Sequence, residues 1–137
     1  MKKKARIIIL VLVLLLANTI NVLADTIEPR YSVITSVSCG IYPSDGEIGF
    51  DVMVNVPSST ALDSAWVDIE VRNIAGTVVG TFSGKKMTKY TSYFYYENTC
   101  DIFTSGRYFF TYEVRCYKDA VLVDNPTGTS TTVSCTA

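Results

Sequence analysis

One stretch decides the fold: Gly106-Arg107-Tyr108-Phe109-Phe110-Thr111-Tyr112-Glu113-Val114-Arg115-Cys116-Tyr117. Its side chains alternate, so that one face is aromatic or apolar and ends in a cysteine, while the other face carries the charges. Alternation with period two over this length predicts a β-strand with one buried face. We therefore expect this stretch to be the central strand of one sheet of a β-sandwich.

Shorter alternating segments lie on both sides of this central stretch. Residues 31–42 and 48–56 flank turn chemistry at 43–46 and predict a hairpin. The pattern continues with strands expected at 65–73, 77–82, 89–97 and 121–123, and a last segment at 130–135 completes the strand that begins at 121. These seven short strands, without helical periodicity, favour a single immunoglobulin-like antiparallel β-sandwich. A small closed barrel is the alternative.

The first residues predict a secretory signal peptide at 1–24. A basic start of Lys2, Lys3, Lys4 and Arg6 precedes an apolar run, and Val22-Leu23-Ala24 supplies small residues before a cut at Asp25. The apolar run is shorter than the ~20 residues of a membrane span, which disfavours the alternative of an uncleaved anchor. We expect a secreted, extracellular protein with a flexible leader at 25–30 and a domain at 31–137.

The charge that remains after cleavage restricts the partner. Four of the 12 basic residues lie in the signal, so eight basic residues face 13 acidic ones and the net charge is −5. An acidic domain without a cluster of Lys and Arg argues against nucleic acid and against a membrane surface. The expected partner is an extracellular protein or a glycan, and the sequence gives no oligomeric state.

Four cysteines occur, all after the signal: Cys39, Cys100, Cys116 and Cys135. An even number in a small exported chain predicts two disulfide bonds, whereas a zinc site lacks both a C-x-x-C pair and any histidine. Three pairings are possible. The expected strand positions favour Cys39–Cys116 and Cys100–Cys135, although Cys116 lies nearer the end of the sandwich than Cys39 does. The first bridge therefore needs a shift in register.

The absence of histidine excludes Ser-His-Asp and Cys-His catalysis, and no phosphate-binding glycine loop occurs. What remains for an enzyme is a carboxylate pair, Asp68 and Glu70, about 7 Å apart on one strand face. Charged residues on an exposed strand face more often have no catalytic role and only keep that face in contact with water. Loop carboxylates are possible calcium ligands, but their spacing does not match that of an EF-hand. We therefore expect no catalytic residue, no metal site and no cofactor.

Exposed aromatic residues are the candidate ligand-binding groups. Trp66, Phe109 and Tyr117 are expected to point outward from the sheet that holds the central strand, and Tyr93 with Tyr95 forms a second possible platform. Aromatic residues among polar groups suit protein contact or sugar stacking. The alternative is that these residues have no binding role, since aromatic residues also favour strands for packing reasons.

Two stretches resemble known proteins. Thr104-Ser105-Gly106-Arg107-Tyr108-Phe109-Phe110 resembles the Gly-x-Tyr-x-hydrophobic start of the sixth strand in immunoglobulin and fibronectin type III domains. The resemblance implies that Tyr108 closes a tyrosine corner by bonding to the backbone upstream. The Lys-rich signal, the segment Ile27-Glu28-Pro29-Arg30-Tyr31 and the seven-strand layout together resemble small secreted proteins of unknown function from Gram-positive gut bacteria.

These observations favour a secreted, non-catalytic recognition module that binds an extracellular protein or surface partner. A carbohydrate-binding module that uses the aromatic face is the first alternative, and a secreted enzyme or enzyme inhibitor is the second. Adjacent, coplanar aromatic side chains favour sugar stacking, whereas dispersed ones disfavour it. An enzyme needs a cleft with convergent carboxylates.

Overall fold

A computed structural model describes residues 31–137 of the chain. The expected signal peptide (1–24) and leader (25–30) lie outside the described residues. The described part contains ten strands: β1 (Ser36–Ser44), β2 (Glu47–Asn55), β3 (Ser64–Asn73), β4 (Val78–Lys86), β5 (Thr88–Lys89), β6 (Tyr93–Asp101), β7 (Gly106–Lys118), β8 (Val121–Asp124), β9 (Thr127–Thr129) and β10 (Val133–Cys135). No helix in this part is long and apolar enough to cross a bilayer.

The strands form two separate antiparallel sheets, so the fold is a β-sandwich. Sheet A has the order β1-β2-β6-β5. Sheet B has the order β10-β7-β3-β4, with β8 and β9 also paired to β7. The chain crosses between the sheets after β2, after β4 and after β6. As a result, the central pair of each sheet, β2–β6 and β3–β7, joins strands that are distant in sequence.

The core lies between the two sheets and is built by the alternation seen in the sequence. In β2 and β3 every second side chain is buried, and the intervening ones face outward. The strand β7 follows the same pattern except at Tyr112, which is half-buried. The largest buried side chains are aromatic and come from both sheets: Phe50, Phe94 and Phe110. Phe50 of sheet A contacts Phe82 and Phe110 of sheet B, with ring centroids 5.0 and 5.5 Å apart. These rings hold the sheets together.

The decisive stretch is the 13-residue strand β7, and it is central in its sheet as expected. On one side it pairs without interruption to β3, from Ser64↔Tyr117 to Asn73↔Tyr108. On the other side it pairs to β8, then β9, then β10. The first hairpin is also as expected, with β1 and β2 paired over their full length. Gly46 has a φ of 72° in its turn, where a glycine costs little.

The number of strands differs from the seven expected. The last strand is divided into β8, β9 and β10, all of which lie along the same side of β7. Pro126 falls between the first two pieces, and proline has no N–H to donate to a ladder. The two-residue strand β5 precedes β6 and pairs with it. Alternation alone does not show such interruptions.

Tyr108 lies at the start of β7 with its ring buried. Its hydroxyl donates a hydrogen bond to the carbonyl oxygen of Thr104, four residues upstream. This is the contact that the resemblance to immunoglobulin and fibronectin type III domains implies. It fixes the path of the loop that joins the two sheets between β6 and β7.

A carboxylate fixes the beginning of the described chain. Asp124, at the end of β8, accepts hydrogen bonds from the backbone N–H groups of Ser32, Val33 and Ile34 at 2.8, 2.8 and 3.0 Å. The Ser32 hydroxyl donates a fourth bond at 2.9 Å. Three successive amides around one buried acid form a small anion-binding nest. The segment before β1 is therefore attached to the C-terminal part of sheet B.

The two expected disulfide bonds are absent. All four cysteines, Cys39, Cys100, Cys116 and Cys135, have free thiols. For Cys39 and Cys116 the reason is register. Cys39 lies near Tyr112, whose pKa is raised by burial and then by the charge that Cys39 would carry, whereas Cys116 is four residues further along β7. Four residues of strand span about 13 Å, and a disulfide needs Cα atoms within about 7 Å.

The second pairing fails because the two strands lie at opposite sides of the sandwich. Cys100 is in β6, which extends past the strand end expected at residue 97, and its Sγ lies against Gly80 of β4. Cys135 is in β10, and its thiol donates to the carbonyl oxygens of Ser44 and Glu47 at 3.2 and 3.5 Å. Each thiol therefore packs against a different part of the fold.

Thiol labelling tests this arrangement. In denaturant without reductant, we expect all four cysteines to react with a maleimide, as counted by mass spectrometry. In the folded protein, Cys39 is half-buried and should react first. Cys116 should be protected, because burial and the nearby Asp124 raise its pKa to about 12 and leave little thiolate at neutral pH. Fewer than four labels in denaturant would reveal a disulfide and contradict the structure.

Candidate functional site

The outer face of sheet B carries the three aromatic residues that the sequence singled out, but it does not bring them together. Trp66 lies opposite Arg115, and Tyr117 lies opposite Ser64, which makes these two rings diagonal neighbours. Phe109 is six residues from Arg115 along β7, a distance of about 20 Å. All three side chains are half-buried. The structure therefore offers no continuous aromatic platform on this face.

Ion pairs occupy the space between those aromatic residues. Asp68 pairs with Arg115 at 3.0 Å, and Glu70 pairs with Arg72. Lys86 lies over the ring of Trp66, 6.0 Å from its centroid. Both carboxylates that could have served an enzyme are thus paired with guanidinium groups. Within residues 31–137, no group of three or more His, Cys, Asp or Glu side chains is placed to hold a metal ion.

The outer face of sheet A is different in charge and in chemistry. Three neighbouring strands, β1, β2 and β6, supply it, and none of them contains Lys or Arg. Its side chains include two tyrosines and four carboxylates, which we call the acidic tyrosine face: Tyr42, Tyr95, Glu47, Asp51, Glu97 and Asp101. Asp51 lies directly opposite Glu97, and Glu47 directly opposite Asp101. Like charges in such positions destabilise a sheet.

A hydrogen-bond network joins the centre of this face. The hydroxyl groups of Tyr42 and Tyr95 both approach Oδ2 of Asp51, at 3.0 and 3.3 Å. The Tyr95 hydroxyl also lies 3.0 Å from Oε2 of Glu97. A phenol has only one hydrogen to donate. Tyr95 can therefore satisfy one of the two carboxylates at a time, and the other retains free acceptor capacity.

Both hydroxyl groups remain donors at neutral pH. Burial, followed by the hydrogen bond to Glu97 and the charge of Asp51, raises the pKa of Tyr95 well above its usual value. The hydrogen bond to Asp51 raises the pKa of Tyr42. Ionisation would place a third negative charge beside two carboxylates. The face therefore presents carboxylate acceptors whose positions are fixed by hydrogen bonds from the neutral tyrosine hydroxyl groups.

Local backbone chemistry places the Tyr42 ring. The Tyr42 hydroxyl lies so close over Gly40 that a Cβ at Gly40 would overlap it. The main chain of Tyr42 runs beside Gly49 of β2. Two glycines therefore leave room for the ring to lie across the sheet toward Asp51. A shallow groove of about 450 Å³ results. Its lining comprises Tyr42, Gly49, Phe50, Asp51, Glu97, Asn98 and Thr99.

Of the second platform expected from the sequence, Tyr95 belongs to this network and Tyr93 does not. Tyr93 stacks on Tyr90 instead, with centroids 4.6 Å apart and planes inclined by 17°. Tyr42, Asp51 and Glu97 were not predicted from the sequence as site residues. Two features of the sequence could have identified Tyr42 and Asp51. The hairpin turn fixes the β1–β2 register, and the alternation places both residues on the outer face.

Comparisons with known proteins give no family for this chain. No family model matches it, and no curated protein matches it. Among solved structures, it is similar to the crystal structure of a hypothetical protein from Pyrococcus horikoshii OT3. The identity is 9%, the match covers 74% of this chain and 91% of the other, and the TM-score is 0.44. A likeness of this size carries no argument about fold or function.

Proposed function

We propose that the domain is a secreted, non-catalytic recognition module that binds a protein partner through the acidic tyrosine face. The observation that carries the proposal is the concentration of four unpaired carboxylates and two tyrosines on three strands without a single cation. Tyrosine is enriched at protein interfaces, because it combines apolar area with a polar end. The carboxylates specify a partner surface that is rich in Lys or Arg.

The strand order supports a finer assignment to the immunoglobulin and fibronectin type III class. In such domains the first, second and fifth principal strands share one sheet, and the third, sixth and seventh share the other. Here β1, β2 and β6 share sheet A, while β3, β7 and the divided last strand share sheet B. The Tyr108–Thr104 contact is in keeping with this class. Modules of this architecture commonly serve recognition, which is an argument by analogy alone.

Binding to peptides of graded charge tests the function. The chain from residue 25 to 137 would be titrated with dye-labelled peptides that differ in net charge, with fluorescence polarisation as the readout. We expect binding only to peptides with a net positive charge, and we expect added salt to weaken it. The double variant Asp51→Asn/Glu97→Gln keeps the shape of the face, and it should weaken binding about tenfold or more.

A matched control removes the same charge elsewhere. Glu113→Gln/Asp119→Asn deletes two carboxylates that lie outside sheet A, and asparagine tolerates the positive φ of position 119. This control should bind like the wild type. Equal loss of binding in both double variants would show that overall charge, and not this face, attracts the peptides, and would contradict the proposal.

A further inference from the structure

The charged side chains of the domain are divided into a paired set and an unpaired set. Residues 31–137 contain three ion pairs: Arg72–Glu70, Arg115–Asp68 and Lys118–Asp63. All of the paired cations lie on the strands of sheet B. The four carboxylates of the acidic tyrosine face have no ion-pair partner among the described residues. Four cations have no ion-pair partner among the described residues: Arg107 in β7, and Lys85, Lys86 and Lys89.

Three lysines form a second unpaired cluster, which we call the lysine corner: Lys85, Lys86 and Lys89. They lie at the end of β4 and in β5, on the side of the sandwich where β4 and β5 are the outermost strands of their sheets. All three are exposed, and none has a carboxylate within ion-pair distance in residues 31–137. Lys85 and Lys86 lie between the strands expected at 77–82 and 89–97, and Lys89 was expected to begin the second of these. The structure extends β4 to Lys86 and places Lys89 in β5, which pairs with β6 at the edge of sheet A.

Apolar groups shape the lysine corner into a surface that could receive side chains. Lys86 and Lys89 line a groove of about 360 Å³ together with Met87, Phe94 and the carboxylate of Asp63. Lys86 lies over Trp66, and the ammonium group of Lys89 lies 5.9 Å from the ring centroid of Phe94 and donates to the carbonyl of Leu62 at 2.9 Å. Aromatic rings and a carbonyl thus hold these cations in place, and the carboxylate in the groove, Asp63, forms its ion pair with Lys118 and not with them.

The two unpaired clusters are complementary to each other in sign and similar in number, four carboxylates against three ammonium groups. They lie on different surfaces of one molecule, so they do not neutralise each other within the domain. A two-fold contact of either cluster with itself would oppose like charges, which is unfavourable at an interface. A contact that places the acidic face of one copy on the lysine corner of the next pairs the two clusters.

We propose that the partner of the acidic tyrosine face is the lysine corner of a second copy of this chain. This inference rests on the proposed function, since it names the partner of the same face. The contact is heterologous, so each copy keeps one acidic face or one lysine corner available for a further copy. Tyr42 and Tyr95 supply apolar area at its centre, and the groove beside Met87 and Phe94 receives it.

Mass measurement of the chain from residue 25 to 137 tests the inference. By sedimentation velocity, we expect the weight-average mass to rise about twofold or more with concentration at about 0.01 M salt, where the Debye length is about 30 Å. It should return to that of the monomer at about 1 M salt, where the Debye length is about 3 Å. A wild-type chain that stays monomeric at low salt overturns the inference.

Charge-neutralising variants distinguish a specific contact from non-specific association. Lys85→Gln/Lys86→Gln keeps the acidic face, and Asp51→Asn/Glu97→Gln keeps the lysine corner. Each alone should remain monomeric, whereas their equimolar mixture should give a heterodimer of twice the monomer mass, because each variant contributes one unmodified surface. If the wild type associates and the mixture does not, the assigned surfaces are wrong. Glu113→Gln/Asp119→Asn changes neither surface and should associate like the wild type.

The peptide titration separates the two proposals. A monomeric chain that binds cationic peptides through the acidic tyrosine face refutes self-association and leaves the proposed function intact. A chain that neither associates nor binds such peptides refutes both. A chain that associates through these surfaces, and whose association cationic peptides inhibit, supports both.

Discussion

Replacement of Asp124 by alanine should lower the free energy of unfolding by about 3 kcal/mol, because it leaves several backbone donors without an acceptor. The carboxylate is 8% exposed and accepts four hydrogen bonds from residues 32–34. Hydrogen bonds to a charged group are stronger than neutral ones. Urea unfolding at pH 7, followed by tryptophan fluorescence, measures the loss.

The pH dependence of this loss has a definite sign. Burial opposes ionisation of Asp124, but hydrogen bonds from the backbone of Ser32, Ile34 and Val33 outweigh it and hold the pKa below its usual value. A group with a lowered folded pKa stabilises the fold fully above its unfolded pKa of about 3.9. That contribution is lost as the pH falls through the folded pKa. The difference between wild type and variant should therefore shrink from about pH 5 downward.

Asp119→Asn provides the control, since the Asp119 side chain is exposed and its removal should change stability by less than about 0.5 kcal/mol. An Asp124→Ala variant that loses the same stability at pH 7 and near pH 2 would show that packing, and not the carboxylate charge, is what matters at this position.

Phe50→Ala should destabilise the domain by about 4 kcal/mol, within the range for removing a buried phenylalanine. The side chain is 1% exposed, and its ring contacts Phe82 and Phe110 of the opposite sheet. Truncation therefore opens a cavity where the two sheets meet. Chemical denaturation gives the change in free energy, and the slope of the transition shows whether unfolding remains two-state.

The conservative variant Phe50→Leu keeps most of the volume and should cost no more than about 1.5 kcal/mol. A loss below about 1 kcal/mol for the alanine variant would mean that Phe82 and Phe110 close over the gap. It would then follow that Phe50 is not the main contact between the sheets.

The sequence was sufficient to predict the elements whose burial is one-sided. The strands β2, β3 and β7 follow the alternation closely, since every second side chain packs into one core. The first hairpin was predictable for a second reason, because the turn at 43–46 fixes the register of the two strands it joins. All-β architecture and a sandwich follow from these elements.

Relations between the sheets were not predictable in the same way. Alternation states which face of a strand is buried, but it does not state how far one sheet is displaced along the other. That displacement separates Cys39 from Cys116, and the crossover after β4 takes Cys100 away from Cys135. The same limit applies to the site. Trp66 and Phe109 share a face as expected, yet the pairing register places them at different ends of it.

The pairing of β7 is continuous on one side and interrupted on the other, and this difference affects where the chain can accept inserted residues. On the β3 side, an unbroken ladder must open as a whole, so that flank of the strand is cooperative. On the other side, three short pieces pair with β7, and the residues between them are held at single points: the Val114 N–H donates to the carbonyl of Pro126, and the Ser130 N–H donates to that of Phe110, each at 2.8 Å. Pro126 and Ser130 are buried, whereas Thr131 and Thr132, between β9 and β10, are exposed. Extra residues at 131–132 would therefore lengthen a surface connection without moving the core. In descendants of this chain, variation in length is therefore expected to collect along this flank.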